Sequence, residues 1–159
     1  MFRTAVSFSD DGRILYVVAN AGIGRADDAF SYSGDDQEPP KPDLSITGVN
    51  IKGTFYTAKL AFHYFVNQNG KEPSPAQQDT CFVLVDSGAA FLDCPRGLQY
   101  SASKSAARGI MHLLRRTAHY YGSRVDVISP WYVRTNILSE EAFRNVASVG
   151  VEFATAEDF

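Results

Sequence analysis

Ser87-Gly88-Ala89-Ala90-Phe91-Leu92-Asp93-Cys94-Pro95-Arg96-Gly97-Leu98-Gln99-Tyr100-Ser101-Ala102-Ser103-Lys104 is the stretch where reactive side chains recur at spacings that imply chemistry. Tyr100 and Lys104 stand four apart at the start of a helix-like run, so their side chains share one face about a turn apart. A free phenol, with a pKa of about 10, is too weak an acid to serve as a base near neutral pH. A neighbouring ammonium favours the phenolate, so Lys104 is placed to make Tyr100 a usable proton carrier. Ser87 lies thirteen residues before Tyr100, just past the apolar run Cys81-Phe82-Val83-Leu84-Val85. In sheets with crossover helices, ligands gather at the carboxyl ends of strands, where such a hydroxyl could hold a substrate oxygen. The plainer account of the pair is a helix-start aromatic packed on a sheet, with the Lys104 stem reaching to solvent.

Working outward, Ile14 to Ala19 is a continuous apolar run with β-branched and aromatic members, the pattern of a strand buried on both faces. Cys81–Val85 and Arg124–Ser129 read as two more strands. Between them, Leu44 to Gln68 reads as helix, broken near Gly48 or Gly53, and Tyr100 to Tyr121 is the longest helical pattern. Residues 1–9 read as the end of a helix with Asp10-Asp11-Gly12 as its exit turn, and a short helix is expected within 137–159. Strands alternating with helices give a parallel α/β sheet with right-handed crossovers, and the whole reads as one domain. Residues 25–43 form a polar loop longer than compact domains usually carry.

A net charge of −3 and a pI near 5.5, with no basic run, argue against nucleic acid as a partner. Cys81 and Cys94 make no disulfide framework, and no metal site is expected, since His63, His112 and His119 sit in helical stretches without a partner pattern. No window approaches the ~18 apolar residues of a membrane span. A soluble, cytoplasmic protein is the expectation.

Three motif readings fail on inspection. Gly22-x-Gly24 resembles the start of a dinucleotide fingerprint, but Asp27 stands at the third position and a turn-rich segment follows in place of a helix. Ser101-Ala102-Ser103-Lys104 fits the Ser-x-x-Lys of penicillin-recognising acyl transferases, whose Lys-Thr-Gly element is absent. A Gly-x-Ser-x-Gly elbow is ruled out by Val85.

The conjunction of Ser87, Tyr100 and Lys104 with Asn20-Ala21-Gly22 after a strand, Asn50 before a helix, and Pro130, Val133 and Thr135 after another resembles the short-chain dehydrogenase/reductases. The resemblance implies a partial Rossmann-like, doubly wound parallel sheet and hydride exchange between NAD or NADP and an alcohol or ketone. It implies roles too: Tyr100 as acid/base, Lys104 lowering its pKa and binding ribose, Ser87 holding the substrate oxygen, and Asn50 positioning a relay water. Asn20, Ala21, Gly22, Pro130, Val133 and Thr135 join Tyr100 and Lys104 as cofactor contacts. Asn50 as a mere helix-start residue, and Asn20–Gly22 as a plain turn, remain the alternatives. Val-Ala-Asn-Ala-Gly-Ile from Val18 and Tyr-Thr-Ala-Lys-Leu-Ala-Phe-His-Tyr-Phe from Tyr56 look like a fungal branch similar to 15-hydroxyprostaglandin dehydrogenases.

The resemblance also implies departures. The family's first βαβ unit, with its pyrophosphate-cradling turn, would precede Ile14, and its last helix and strand would follow Phe159. Trp131 replaces the usual Gly after Pro130, and Tyr16 stands where an acidic residue is common. A strand at Ile14–Ala19 without its usual neighbour would present an apolar edge and invite pairing with another chain. A homo-oligomer through the two long helices is expected, or pairing with an intact relative. An inactive remnant that modulates such a relative is the competing account, and a portion of a longer chain is a third.

Overall fold

The computed structural model describes residues 1–25, 27, 29 and 31–158. Three strands, β1 (Tyr16–Ala19), β2 (Thr80–Val85) and β3 (Ser123–Ile128), pair in parallel in the order β1-β2-β3. Val17 stands opposite Phe82, and Phe82 opposite Val125. Helices α1 (Phe2–Phe8), α2 (Gly53–Asn69) and α3 (Leu98–Ala118) precede β1 or link the strands, and α4 (Glu140–Ala147) follows. This is the expected Rossmann-like α/β arrangement, with the sheet's central strand carrying the run that ends at Val85.

The core lies between one face of the sheet and α2 and α3. Val17, Phe82, Leu84 and Val125 from the strands meet Ala58, Ala61 and Phe65 from α2 and Ala107 and Ile110 from α3. Small residues at the helix positions let both backbones lie close to the sheet. Phe62 fills the gap edge-on to both Phe65 and Phe82, at centroid distances of 5.8 and 5.9 Å. Helix α1 docks through Phe2, stacked on Tyr64. Its exit follows the sequence reading: Gly12 takes a left-handed φ of 68°, and Ser9 Oγ donates to Asp11 Oδ1.

Polar clamps fix the strand ends. The Gln68 amide donates to the Ile14 carbonyl and accepts from the Ile14 N–H, at 2.9 and 2.8 Å, entering β1 into the sheet. Gly122, φ 64°, makes the turn into β3 where a Cβ would come within 2.8 Å of Gln77 Cβ.

Several boundaries differ from the sequence reading. Strand β1 begins at Tyr16, because Ile14 and Leu15 are spent on Gln68 and on the Cys81 N–H. The expected break near Gly48 or Gly53 is a π-helical segment, Thr47–Lys52, that runs into α2 without interruption. Helix α3 starts two residues before Tyr100 because Asp27, from the long loop, accepts the Gln99 N–H at 3.0 Å and so supplies its missing cap. Of that 25–43 loop, residues 26, 28 and 30 lie outside the described residues.

Strand β1 is not buried on both faces. Tyr16 and Val18 are exposed on the face away from the helices, as are Arg124, Asp126 and Ile128 on β3. Arg124 there bridges Asp79 and Asp126. Phe65→Ala is expected to destabilise the fold by about 3–5 kcal/mol, as for other fully buried phenylalanines, while Tyr16→Ser stays within about 0.5 kcal/mol; urea denaturation of both variants checks this.

Candidate active site

The site forms at the carboxyl ends of the strands. Past Val85 the chain turns, and Ser87 caps a short 3-10 turn, Gly88–Ala90, by accepting the Ala89 N–H at 3.2 Å. Helix α3 enters with Tyr100 in its first turn, so Tyr100 and Lys104 lie on the side facing β2. Lys104 is buried and its ammonium donates to the Val85 carbonyl at 2.9 Å. The same ammonium stands 5.5 Å from the Tyr100 ring centroid. Ser87, Tyr100 and Lys104 are thus brought to one place.

Asn50 and the loop after β1 join them. The Asn50 amide donates to the Ile23 carbonyl and to Ser103 Oγ, both at 3.0 Å, and accepts the Ile23 N–H at 2.9 Å. Ser103 Oγ passes its own hydrogen to the Tyr100 carbonyl. A Cβ added at Gly22 would stand 3.6 Å from Asn50 Oδ1, 3.7 Å from Lys104 Nζ and 3.8 Å from the Asn20 carbonyl. The π-helical turn places Asn50 here, since it widens the helix at the point where α3 and the 20–23 loop converge.

The segment after β3 closes the other side. The Pro130 carbonyl accepts the Gly88 N–H at 2.8 Å, and the Trp131 indole lies so close over Gly88 that a Cβ there would meet it at 2.1 Å. Gly88 is therefore required by contact, not by its φ. Val133 is taken up by a bridge to Ala154, and Thr135 Oγ1 accepts the Ile137 N–H in an exposed turn. Neither is hydrogen-bonded to Ser87, Tyr100 or Lys104 among the described residues. Ile137 does reach the site: the position of a Cβ on Gly24 would be 3.4 Å from Ile137 Cγ1 and 3.6 Å from the Tyr100 ring. Phe143, Phe153 and Tyr132 pack edge-on beneath this segment as a small core of their own.

Electrostatics at the site run against one another. Burial pushes the Tyr100 phenol above its ordinary range; the Ser87 hydroxyl pulls it down, while Cys94 and Asp86 add to the rise. Burial pulls the Lys104 ammonium below its ordinary range, with Asp86 opposing. Asp86 itself is pushed up to about 6, chiefly by burial, with the Ser87 N–H and Lys104 opposing. Asp86 and Ser103 are site residues that sequence reading missed. For Asp86 the signal was a carboxyl closing an apolar run, a position the fold buries; Ser103 carries no signal in a helix full of serine and alanine.

A family model described as short chain dehydrogenase matches residues 3–145. The chain belongs to this family. It is 30% identical over 171 residues to the 5'-hydroxyaverantin dehydrogenase of Dothistroma septosporum, covering 99% of this chain and 55% of that protein. It is 32% identical over 138 residues to the short-chain dehydrogenase/reductase prx7 of Penicillium rubens, covering 82% and 46%. The chain thus spans about half the length of the curated relatives it matches. Among solved structures, the 3-ketoacyl-(acyl-carrier-protein) reductase of Brucella melitensis complexed with NADH superposes with a TM-score of 0.73 at 22% identity, covering 98% of this chain and 60% of that one. The gluconate 5-dehydrogenase of Burkholderia cenocepacia in complex with NADP and tartrate gives 0.65 at 22% identity, covering 94% and 51%. These structural likenesses speak for the shared fold. No described helix is long and apolar enough to cross a membrane.

A carboxyl with a native pKa near 6 and an unfolded value near 3.9 makes stability fall as pH rises between the two, because the native state binds the proton more tightly. The melting temperature of Asp86→Asn relative to the parent is therefore expected to move in the variant's favour as pH rises from about 4 to 7, as thermal denaturation of both proteins across this range will show.

Proposed function

We propose that the chain carries the catalytic centre of an NAD- or NADP-dependent oxidoreductase that interconverts a secondary alcohol and a ketone. The observation that carries this reading is the convergence of Ser87, Tyr100, a buried Lys104 ammonium and Asn50 at the ends of β1 and β2. Family membership supports it, and so do the NADH and NADP named with the two solved neighbours.

The residues fit the nicotinamide-ribose end of such a cofactor. Lys104 spends one hydrogen on Val85 and keeps two, next to a glycine that leaves its ammonium uncovered on that side. Tyr100 and Lys104 would hold the ribose, Asn20, Ala21 and Gly22 would line it, and Pro130, Val133 and Thr135 would meet the carboxamide. The bound nicotinamide supplies or accepts the hydride. Ser87 holds the substrate oxygen, and Tyr100 gives or takes its proton. Lys104 favours the phenolate against the rise that burial imposes. Asn50 keeps the loop after β1 in place and positions the water through which the pair exchanges protons with solvent. Cytoplasmic location, and membership of the fungal branch similar to 15-hydroxyprostaglandin dehydrogenases, belong to the same reading; the two relatives named above are fungal proteins.

Self-association through α2 and α3 is part of the proposal. Phe55, Tyr56 and Leu60 on α2 and Leu113 on α3 are exposed large hydrophobics on these two helices. The second reading, an inactive partner of an intact relative, is favoured by the open apolar face of the sheet at Tyr16, Val18 and Ile128.

Tyr100→Phe is expected to lower turnover of ketones by at least about a hundredfold and to weaken cofactor binding less than Lys104→Met, which loses the charge as well as the ribose contact and lowers both strongly. Steady-state kinetics and calorimetric titration with NAD, NADH, NADP and NADPH check this. Full activity in Tyr100→Phe would overturn the assignment; no binding of any of the four would transfer support to the second reading.

A further inference from the structure

A carboxyl stands where the apolar strand β2 runs out. Asp86 follows Val85 and precedes Ser87, is 3% exposed, and is fixed by its N–H, which donates to the Ile128 carbonyl at 2.7 Å. By strand alternation it shares the helix-facing side with Phe82 and Leu84, which lie in the core against α2 and α3. Its hydrogen bonding is thin. Ser129 Oγ approaches Oδ2 at 3.5 Å, while Oδ1 is buried and has no partner among the described residues. A carboxylate so placed is costly unless opposite charge faces it.

That charge comes from α3. Lys104 and Arg108, one helical turn apart, are the cations that act on Asp86. Arg108 is drawn outward over the Phe91 ring, 4.5 Å from its centroid, so Lys104 is the buried one. Its ammonium is hydrogen-bonded to the carbonyl of the residue immediately before Asp86 and is also the cation beside the Tyr100 ring. From the other elements, Ser129 after β3 offers a hydroxyl, Cys94 in the loop before α3 acts on Tyr100, and Asn50 near α2 is neutral. Asp126 points to the opposite face of the sheet, paired with Arg124. Lys104 is therefore the shared neighbour of one phenol and one carboxyl.

We propose that Asp86 is a positioning residue that answers the Lys104 charge and so keeps the Tyr100–Lys104 pair in its proton-bearing form at neutral pH. This rests on the reading of Tyr100 as proton carrier. An ionised carboxyl buried one residue past the carbonyl that holds the ammonium, though not in ion-pair contact with it, cancels part of the positive field that would otherwise draw the proton off the phenol. The pair is then biased toward donation. Where a bound reduced nicotinamide would supply a hydride to a ketone carbon, the C=O π pair would move to oxygen and the Tyr100 O–H bond would break, its proton going to that oxygen. An alcohol and a Tyr100 phenolate result, and the phenolate recovers a proton from solvent. The centre is in this sense set for ketone reduction.

The test is ultraviolet difference titration of Tyr100 in the full chain without cofactor. Tyr100→Phe is subtracted from the parent, and the Asp86→Asn, Tyr100→Phe double variant from Asp86→Asn. About tenfold weaker proton affinity of Tyr100 in Asp86→Asn is expected, the low end of what one neighbouring charge does. Asp86→Ser, which also removes the charge, should act in the same direction and serves if the asparagine variant does not fold. An unchanged Tyr100 titration in a folded variant, with only stability altered, would overturn the proposal. Because the titration needs neither cofactor nor turnover, the two failures are distinguishable: a shifted Tyr100 titration in an inactive protein would sink the oxidoreductase reading and leave the Asp86–Tyr100 coupling standing. Where activity is present, Asp86→Asn should carry alcohol oxidation to lower pH.

Discussion

The buried Asn50 amide is the interaction on which the site depends. One side chain holds both backbone groups of Ile23 and, through Ser103, the first turn of α3. Without it Ser103 Oγ would lose a buried partner and the part-buried Ile23 groups theirs, at a cost of up to about 1–3 kcal/mol for the buried one and less for the others. Three elements distant in sequence are thereby locked around one point, the ground between Gly22 and Lys104. The π-helical turn at Thr47–Lys52 is part of the same device, since a regular α-helix would carry Asn50 elsewhere around the axis.

Around that point, burial is the dominant electrostatic force. It works against ionisation of Tyr100, of Lys104 and of Asp86 alike. Each group's remaining charge is then decided by its neighbours: Ser87 favours the phenolate, and Asp86 and Lys104 favour each other's charged forms. A bare Tyr-x-x-x-Lys pair on a solvated helix would have no such coupling. The scaffold's contribution is to remove water from one side of the pair while leaving hydrogens on Lys104 unspent.

Much of this was legible in the linear chain. The three strands, the helices between them and the helical spacing of Tyr100 and Lys104 come from local pattern, because apolar periodicity reports which residues face a core. The end of β2 at Val85, two residues before Ser87, was legible for the same reason. What escaped depends on contacts across many residues. Asp27 resembles a spoiled phosphate loop in sequence, yet it caps α3 from 72 positions away. The supposed break near Gly48 is a change of helical winding that no propensity scale encodes. That Val133 is bridged to Ala154, that Thr135 lies in an exposed turn and that Ile137 also comes near Tyr100 are likewise placements across many residues.

Local pattern in the chain was enough for the family, the strand–helix alternation and the helical spacing of Tyr100 and Lys104, since these follow from side-chain chemistry and spacing within single elements. It took the folded chain to show that Asp86 is buried with one oxygen unpartnered among the described residues, that Asn50 is a clamp, and that Trp131 covers Gly88. The physical reason is that burial and charge coupling are properties of the space between elements. A carboxyl beside a serine reads the same in a loop as in a core, and its proton affinity is set by which groups fold against it.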